Sequence, residues 1–274
     1  MDNNELGSLA QHFNRMTKGL KERYDLLKTL DMAREIQQNL LPDRIPVVPG
    51  LDIAGTSLYC DQTGGDYYDF IETRIDDSRN LVVVVGDVSG HGIPSALLMA
   101  SARAFLRQRL ALPGTLTQVL DDVNVQFCRD VGSSGHFMTL FLAAFDQDHH
   151  TFTWIRAGHD PALLYDPSQD RFIELIRGGN IPLGIDETFL YQKNTVNEDR
   201  ISAGQILFIG TDGIWESKNA SGERFGKDRI RQILQDNRNA GAQFLLDRVL
   251  EALDRFMNGQ GYTDDVTLII VKKM

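Results

Sequence analysis

The 274-residue sequence is short of cysteine, of long apolar runs and of basic charge, and each shortage excludes a class of protein. Two cysteines, Cys60 and Cys128, can form neither a disulfide framework nor a thiolate metal site, so we expect reduced thiols in a cytoplasmic compartment. The longest apolar runs, at 81–85 and 266–271, are far shorter than the roughly 20 residues of a membrane-spanning helix. We therefore expect a soluble segment that lacks a signal peptide.

Basic charge is also scarce, because 28 lysines and arginines stand against 38 aspartates and glutamates, a formal net charge of −10. Nucleic-acid surfaces depend on clustered Lys and Arg, so we expect no nucleic-acid partner. The 42% of apolar residues can bury a sizeable core, which excludes a disordered or fibrous protein. An acidic metal-binding protein fits these numbers.

The first forty residues contain no proline, and their apolar residues have a helical spacing. Intervals of three and four separate Leu6, Leu9, Phe13, Met16 and Leu20, as in the a/d seam of a coiled coil. This spacing predicts a homodimer through the N-terminal helix.

The seam changes phase at Tyr24, before Leu27 and Leu30, and such a stutter predicts a soft joint in a long helix. Prolines at 42, 46 and 49 end the helical pattern. We therefore divide the chain into an N-terminal helix (1–26), a linker helix with a proline-rich connection (27–50) and a globular domain (51–274). For residues 34–41 the spacing also fits a helix that packs on its own domain.

Beyond residue 50, short β-type runs alternate with two pairs of helical segments. We predict strands at 51–58, 67–73, 81–86, 138–145, 152–157, 162–165, 172–176, 206–210 and 266–271, and helices at 94–110, 116–131, 227–235 and 243–257. Most strands follow one another directly, which favours antiparallel pairing. The predicted class is α+β, with sheets inside and helices outside.

Acidic residues coincide with the ends of four predicted strands. Asp87 and Asp212 follow apolar runs, Asp264 and Asp265 precede one, and Asp66 opens another. If the last strand runs antiparallel to its neighbours, these carboxylates meet at one rim of the sheet. Crowded carboxylates repel one another unless a cation neutralises them, so the pattern predicts a site for magnesium or manganese.

Each aspartate taken singly also fits a turn, since Asp212 precedes a glycine and the glycines at 86–92 suit a strand end and a helix start. Four acidic strand ends together favour the metal site. Asp66 and Asp69 lie three positions apart and point to opposite faces of a regular strand, so only one of them can face that site.

Six motifs, in chain order, resemble those of bacterial PPM (PP2C-type) serine/threonine phosphatases of the SpoIIE/RsbU kind. They are GGDYYD at 64–69, GDVSGHG at 86–92, AGHDP at 157–161, IPLG at 181–184, TDG at 211–213 and DDVT at 264–267. The resemblance covers about residues 34–271. It implies an αββα sandwich of two antiparallel sheets flanked by helix pairs, and a centre of two Mn²⁺ or Mg²⁺ ions that hydrolyses phosphoserine or phosphothreonine on a protein.

The resemblance also implies roles for single residues, with Asp66 and Asp87 as the catalytic pair. Six positions match metal contacts: Asp87 as the bridging ligand, the Val88 carbonyl, Asp212, Asp264 or its neighbour Asp265, and Asp66 near the water-bound edge. Two such ions activate a bridging water for in-line attack, and no phosphoenzyme is required.

The sequence departs from the wider family at three points. Animal-type members hold the phosphate with an arginine near the first motif, but residues 57–66 of this sequence contain no arginine. Ser89 stands where those members have a histidine. His91 is displaced by two positions, which leaves a general-acid role and a helix-start role both open. His159 is interpreted as a turn residue.

Residues 3–16 resemble the last helix of a HAMP signalling module, which implies a cytoplasmic domain of an inner-membrane receptor, joined to the membrane only through upstream segments. The leading hypothesis is a phosphatase whose partner is a phosphorylated regulatory protein of the anti-sigma-factor-antagonist type, as in partner switching. Two alternatives are a two-metal phosphodiesterase or nuclease, and a dimeric module that binds phosphoproteins without hydrolysing them.

Overall fold

The computed structural model describes residues 3–75, 78–146, 151–177, 179–191 and 196–274. Six helices and eleven strands lie within these ranges. In chain order they are α1 (Asn3–Gln38), β1 (Leu51–Leu58), β2 (Asp66–Ile75), β3 (Ser78–Val88), α2 (Ile93–Leu110), α3 (Leu116–Val131), β4 (Met138–Asp146), β5 (Thr151–Ala157), β6 (Leu163–Asp166), β7 (Arg171–Glu174), β8 (Gly179–Asn180), β9 (Asn197–Arg200), β10 (Ile206–Gly210), α4 (Gly213–Glu216), α5 (Lys227–Asp236), α6 (Ala242–Met257) and β11 (Val266–Lys273).

The strands form two stacked sheets. The first sheet has the order β1-β11-β10-β6-β7, and the second has the order β2-β3-β4-β5-β8, with β9 also paired to β5. All described pairs are antiparallel except the short pair of β5 with β8. The predicted α+β class and αββα layers are confirmed.

Alternate residues of β3 show why the layers form. Val82 and Val84 pack against α2 and α3, whereas Leu81, Val83 and Val85 face the other sheet. A strand with apolar residues on both faces must lie between two layers, because either face would otherwise meet water. On the opposite side, α5 and α6 cover the outer face of the first sheet.

Three elements were not predicted. The strands β8 and β9 are short, and β9 consists of the polar residues Asn-Glu-Asp-Arg, so neither shows an apolar alternation. They exist because β5 offers them hydrogen-bonding partners. The third, α4, is a single helical turn of four residues after β10.

The helix α1 runs without interruption through Tyr24, so the stutter does not break it. Its apolar seam is unpartnered within the chain, since Leu9, Phe13, Met16 and Leu20 are each more than half exposed. None of the helices in the described ranges is both long and apolar enough to cross a membrane.

Candidate active site

Two acidic residues of the second sheet lie side by side at one end of the sandwich. Asp66 begins β2, and it stands directly opposite Asp87 of β3 in the antiparallel register. Both residues continue the alternation that faces the first sheet, as Tyr68 and Val85 do. Their carboxylates therefore lie on the same face, between the two sheets.

The first sheet supplies the remaining carboxylates. Asp212 comes two residues after the end of β10, and Asp264 and Asp265 come directly before β11. Because β10 and β11 are antiparallel neighbours, the end of one strand lies beside the start of the other. The prediction of a single sheet rim is thus wrong: the acidic residues come from two sheets, which the stacking brings together.

A threonine joins the two halves of this cluster. The Thr211 hydroxyl donates to Asp66 Oδ2 at 2.7 Å and accepts a hydrogen bond from the Thr267 amide at 3.0 Å. Both threonines are buried. The sequence placed Thr211 in the TDG motif at 211–213 but indicated no role for its hydroxyl.

His159 makes a second bridge between the sheets. Its Nδ1 lies 2.8 Å from the Thr139 hydroxyl, on the strand position opposite Asp87, and its Nε2 lies 3.2 Å from the Gly210 carbonyl oxygen. Burial lowers the pKa of His159 to about 4, so the ring is neutral at pH 7. The backbone of His159 lies in the irregular segment after β5, as its interpretation as a turn residue implies, but the burial and bridging role of its ring were not predicted.

The neighbouring aspartates Asp264 and Asp265 have different surroundings. Asp265 is buried, and its carboxylate accepts hydrogen bonds from the backbone amides of Cys60 at 2.9 Å, Gly65 at 2.8 Å and Asp66 at 3.4 Å. The Asp264 side chain is exposed and accepts only the Asp265 amide among the hydrogen bonds of the described residues. Asp265 thus holds the loop before β2, while Asp264 is free to turn towards a ligand.

Burial and mutual repulsion raise the pKa values of the carboxyl groups in the cluster. Burial, then Asp87 and Asp265, raise the pKa of Asp66 well above its usual range. Burial and three neighbouring aspartates, Asp212, Asp264 and Asp265, raise the pKa of Asp87 to about 7. The chain therefore holds carboxylates together at a cost that a bound cation would relieve.

The two outer carboxylates follow the same trend. Partial burial raises the pKa of Asp212 with help from the charge of Asp264, and partial burial raises that of Asp264 with help from Asp265. Both side chains reach the solvent, so the cluster opens to water on the side of the first sheet.

A cluster of carboxylate and carbonyl oxygens suits hard divalent cations such as Mg²⁺ and Mn²⁺. Within the described ranges, no three His, Cys, Asp or Glu side chains already have the spacing of a finished metal site. The side chains would have to rotate around an ion to complete its coordination. The assignment of Asp66, Asp87, Asp212, Asp264 and Asp265 as ligands stays a prediction.

The Val88 carbonyl, the sixth predicted contact, lies against the loop before β2. A Cβ atom on Gly65 would come within 2.5 Å of this oxygen, and one on Gly213 would come within 1.9 Å of the Asp265 carbonyl oxygen. Both positions require glycine because backbone approaches backbone there. The glycines of two motifs thus allow close backbone packing beside the cluster, Gly65 on the side of the second sheet and Gly213 on the side of the first.

A cavity of about 110 Å³ adjoins the cluster and is lined by Asp87, Thr139, Gly158, His159, Asp160, Thr211 and Asp212. Beside it, Lys227 forms an ion pair with Asp160 at 2.8 Å and lies over the Trp215 ring. His91 is exposed, with its Nδ1 2.9 Å from Asp61 Oδ2, and it donates no cap to α2. His91 stands directly before the N-cap residue Gly92, and both its helix-start role and its general-acid role stay predictions.

A family model decides where this chain belongs. The model for Stage II sporulation protein E (SpoIIE) matches residues 77–273. The chain belongs to the SpoIIE family. It is 27% identical over 268 residues to phosphoserine phosphatase RsbU of Bacillus subtilis (strain 168). The aligned region covers 97% of this chain and 75% of RsbU.

Solved structures of SpoIIE relatives share the fold. The SiaA-PP2C domain of Pseudomonas aeruginosa is 22% identical, with a TM-score of 0.76 over 93% of this chain and 98% of that one. The RsbU and RsbW domains of a Mycobacterium tuberculosis protein are 28% identical, with a TM-score of 0.69 over 85% of this chain and 63% of that one. The chain is thus a PP2C-type phosphatase domain.

Proposed function

We propose that the domain hydrolyses phosphoserine or phosphothreonine on a small regulatory protein, with two Mn²⁺ or Mg²⁺ ions at the acidic cluster. The observation that carries this proposal is the cluster itself. Asp66 and Asp87 face the carboxylates of the other sheet, and burial together with the charges of neighbouring aspartates raises their pKa values. Membership of the SpoIIE family supports the phosphatase reaction.

The chain's own residues would divide the work as follows. Asp87, at the centre of the cluster, would hold the ions together with Asp212 and Asp264 of the other sheet. Asp264 is favoured over Asp265 because backbone amides already occupy both Asp265 oxygens. When bound, divalent ions supply an acidified water and offset charge on the phosphate.

Thr211 and His159 would act by holding the frame of the site. Thr211 fixes the Asp66 carboxylate by donating to Oδ2. The neutral His159 joins the position opposite Asp87 to the end of β10. Their bridges keep the carboxylates of both sheets in one place while the cavity beside Asp87 and Asp212 receives the phosphate.

The direct test is release of phosphate from a phosphoserine protein in the presence of Mn²⁺. We expect turnover by the wild type and none by the double variant Asp87→Ala, Asp212→Ala. The control is Asp43→Ala, which changes an exposed aspartate of the proline-rich connection. Robust turnover by the double variant would contradict the metal assignment.

The same assay separates the alternatives. A nuclease or phosphodiesterase would hydrolyse a nucleic-acid or diester substrate in preference to the phosphoprotein. A module that only binds would take up Mn²⁺ and phosphoprotein without releasing phosphate. The net charge of −10 counts against a nucleic-acid substrate.

Upstream, we propose that α1 belongs to a HAMP-derived segment of a membrane receptor and dimerises through its seam. The exposed side chains of Leu9, Phe13, Met16 and Leu20 support a partner helix, because a seam of this kind is stable only when it is covered. Dimerisation would set the position of residues 33–41 against the catalytic domain and thereby regulate it.

Deletion of residues 1–26 tests this part. We expect a monomer with an altered rate of phosphate release, measured by light scattering and by the phosphoprotein assay. An unchanged oligomeric state together with an unchanged rate would refute regulation through this helix.

A further inference from the structure

The helix α1 contacts the domain through an unusual residue. From residue 7 to its end, Gln37 is its only buried side chain, at 4% exposure, whereas the next residue, Gln38, is exposed. A polar amide is an expensive group to bury unless its donor and acceptor both find partners. The partners of Gln37 should therefore show what its burial serves.

Both partners belong to one residue of the active-site loop, Gly64. Gln37 Nε2 donates to the Gly64 carbonyl oxygen at 2.6 Å, and Gln37 Oε1 accepts from the Gly64 amide at 3.1 Å. The side-chain amide of Gln37 thus makes the same pair of hydrogen bonds with Gly64 that the backbone of a neighbouring strand would make. This pairing joins the end of α1 to a loop 27 residues further along the chain.

From Gly64 the loop leads directly into the acidic cluster. The Gly65 amide donates to Asp265, the Gly65 carbonyl accepts from the Val88 amide at 3.3 Å, and the next residue is Asp66. There is little slack, since a Cβ atom on Gly64 would lie 2.2 Å from Asp265 Oδ2. A shift of the Gly64 peptide must therefore move its neighbours.

The end of α1 is itself fixed to the domain at a second point. Arg103 of α2 donates from Nε to the Leu40 carbonyl oxygen at 2.6 Å, and Leu41 packs against the core on both faces of the second sheet. Gln37 lies one helical turn before this anchor. A change in the angle between α1 and the domain would thus displace Gln37, while Leu40 and Leu41 stay fixed to the domain.

We infer that Gln37 is a positioning residue of the active site, through which the end of α1 sets the place of the Gly64–Gly65 loop and so the affinity of the acidic cluster for divalent cations. This inference rests on the proposed metal-dependent phosphatase activity. It assigns no contact between Gln37 and the ions or the substrate.

The test uses the full chain with Gln37→Met, which keeps the length of the side chain but loses both hydrogen bonds. Gln37→Ala is the second variant, and Gln38→Met is the matched control at the adjacent exposed glutamine. Hydrogen–deuterium exchange of the metal-free proteins reports on the loop at 60–66, and calorimetric titration with Mn²⁺ reports on the cluster.

We expect faster exchange at 60–66 and a Mn²⁺ dissociation constant raised about tenfold in both Gln37 variants, with both quantities unchanged in Gln38→Met. Partners that orient metal ligands typically cost this much when they are removed. A merely stabilising side chain would lower the melting temperature and leave the affinity of the folded protein for Mn²⁺ unchanged.

Unchanged Mn²⁺ affinity in a folded Gln37 variant would overturn the inference, as would an equal loss in Gln38→Met. If both Gln37 variants failed to fold while Gln38→Met folded, Gln37 would be a general stability residue and the inference would also be wrong. If the wild type neither bound Mn²⁺ nor released phosphate, the proposed function would fail instead. Hydrogen–deuterium exchange of the metal-free proteins would still test whether Gln37 holds the loop at 60–66, so the two failures can be distinguished.

Discussion

The strand β2 carries two buried aspartates, Asp66 and Asp69, whose surroundings are opposite. Asp69 faces α2, where Arg107 donates to it from Nε and Nη2, each at 2.6 Å. The Tyr67 hydroxyl and the Phe70 amide donate to the same carboxylate. Asp69 is therefore a neutralised and fully hydrogen-bonded group.

Asp66, three residues earlier, faces the other sheet. Its side chain accepts a hydrogen bond from Thr211, and the charges that act on it most strongly are those of Asp87 and Asp265. Burial alone does not distinguish the two aspartates. What distinguishes them is the charge of the neighbouring side chains, cationic Arg107 beside Asp69 but anionic Asp87 and Asp265 beside Asp66. The paired carboxylate stabilises the fold, whereas the other is available for chemistry.

The strongest test of this contrast is Asp87→Asn, on the side without a cation. We expect phosphate release to fall by about 10³-fold, equivalent to about 4 kcal/mol of transition-state stabilisation, because the central ligand is lost. The metal-free variant should melt no lower than the wild type. Asp43→Asn is the control, and near-normal turnover by Asp87→Asn would erase the contrast.

On the neutralised side, Asp69→Asn should act on stability instead. We expect the free energy of unfolding in urea to fall by about 3 kcal/mol, at the low end for a broken buried pair because Arg107 is 42% exposed and can turn to water. Mn²⁺ affinity, measured on the folded variant, should not change. A variant of normal stability and weakened Mn²⁺ affinity would show that the two aspartates share a role.

Gly65→Ala probes the close approach beneath the cluster. Its Cβ atom would lie 2.5 Å from the Val88 carbonyl oxygen, so we expect a loss of about 2 kcal/mol in the free energy of unfolding and weaker Mn²⁺ binding. Gly261→Ala, where a Cβ atom would meet nothing within 4 Å, is the matched control. Equal melting temperatures for the two variants would disprove the crowding.

The smallest effect concerns pH. The pKa of Asp87 is raised to about 7, so as the pH rises from about 4 to 7 without metal the unfolded chain loses this proton before the folded one does, and stability falls. His159 acts in the opposite direction: its pKa is lowered to about 4, so its contribution is lost as the pH falls below about 6.5.

Comparison of wild type with Asp87→Asn isolates the carboxyl, because His159 is common to both proteins. We expect the metal-free variant to become progressively more stable than the wild type between about pH 5 and 7, measured by urea unfolding. Saturating Mn²⁺ should stabilise the wild type and close this gap. A gap that stays constant with pH would show that Asp87 is ionised throughout.

The regular elements could be predicted closely because their side-chain periods are local. The predicted bounds of β1, β10 and α3 agree with the structure at both ends. The edge strands β8 and β9 could not be predicted, since their pairing with β5 and not their own composition makes them strands.

For the site, the order of the motifs along the chain predicted the family to which the chain belongs, and the predicted aspartates lie near one another in the structure, while their roles as ligands stay a prediction. Three features depended on the tertiary structure alone: the division of the carboxylates between two sheets, the burial of His159, and the contact of Gln37 with Gly64. Each arises from residues far apart in sequence that meet only when two layers stack, and no local pattern encodes that meeting.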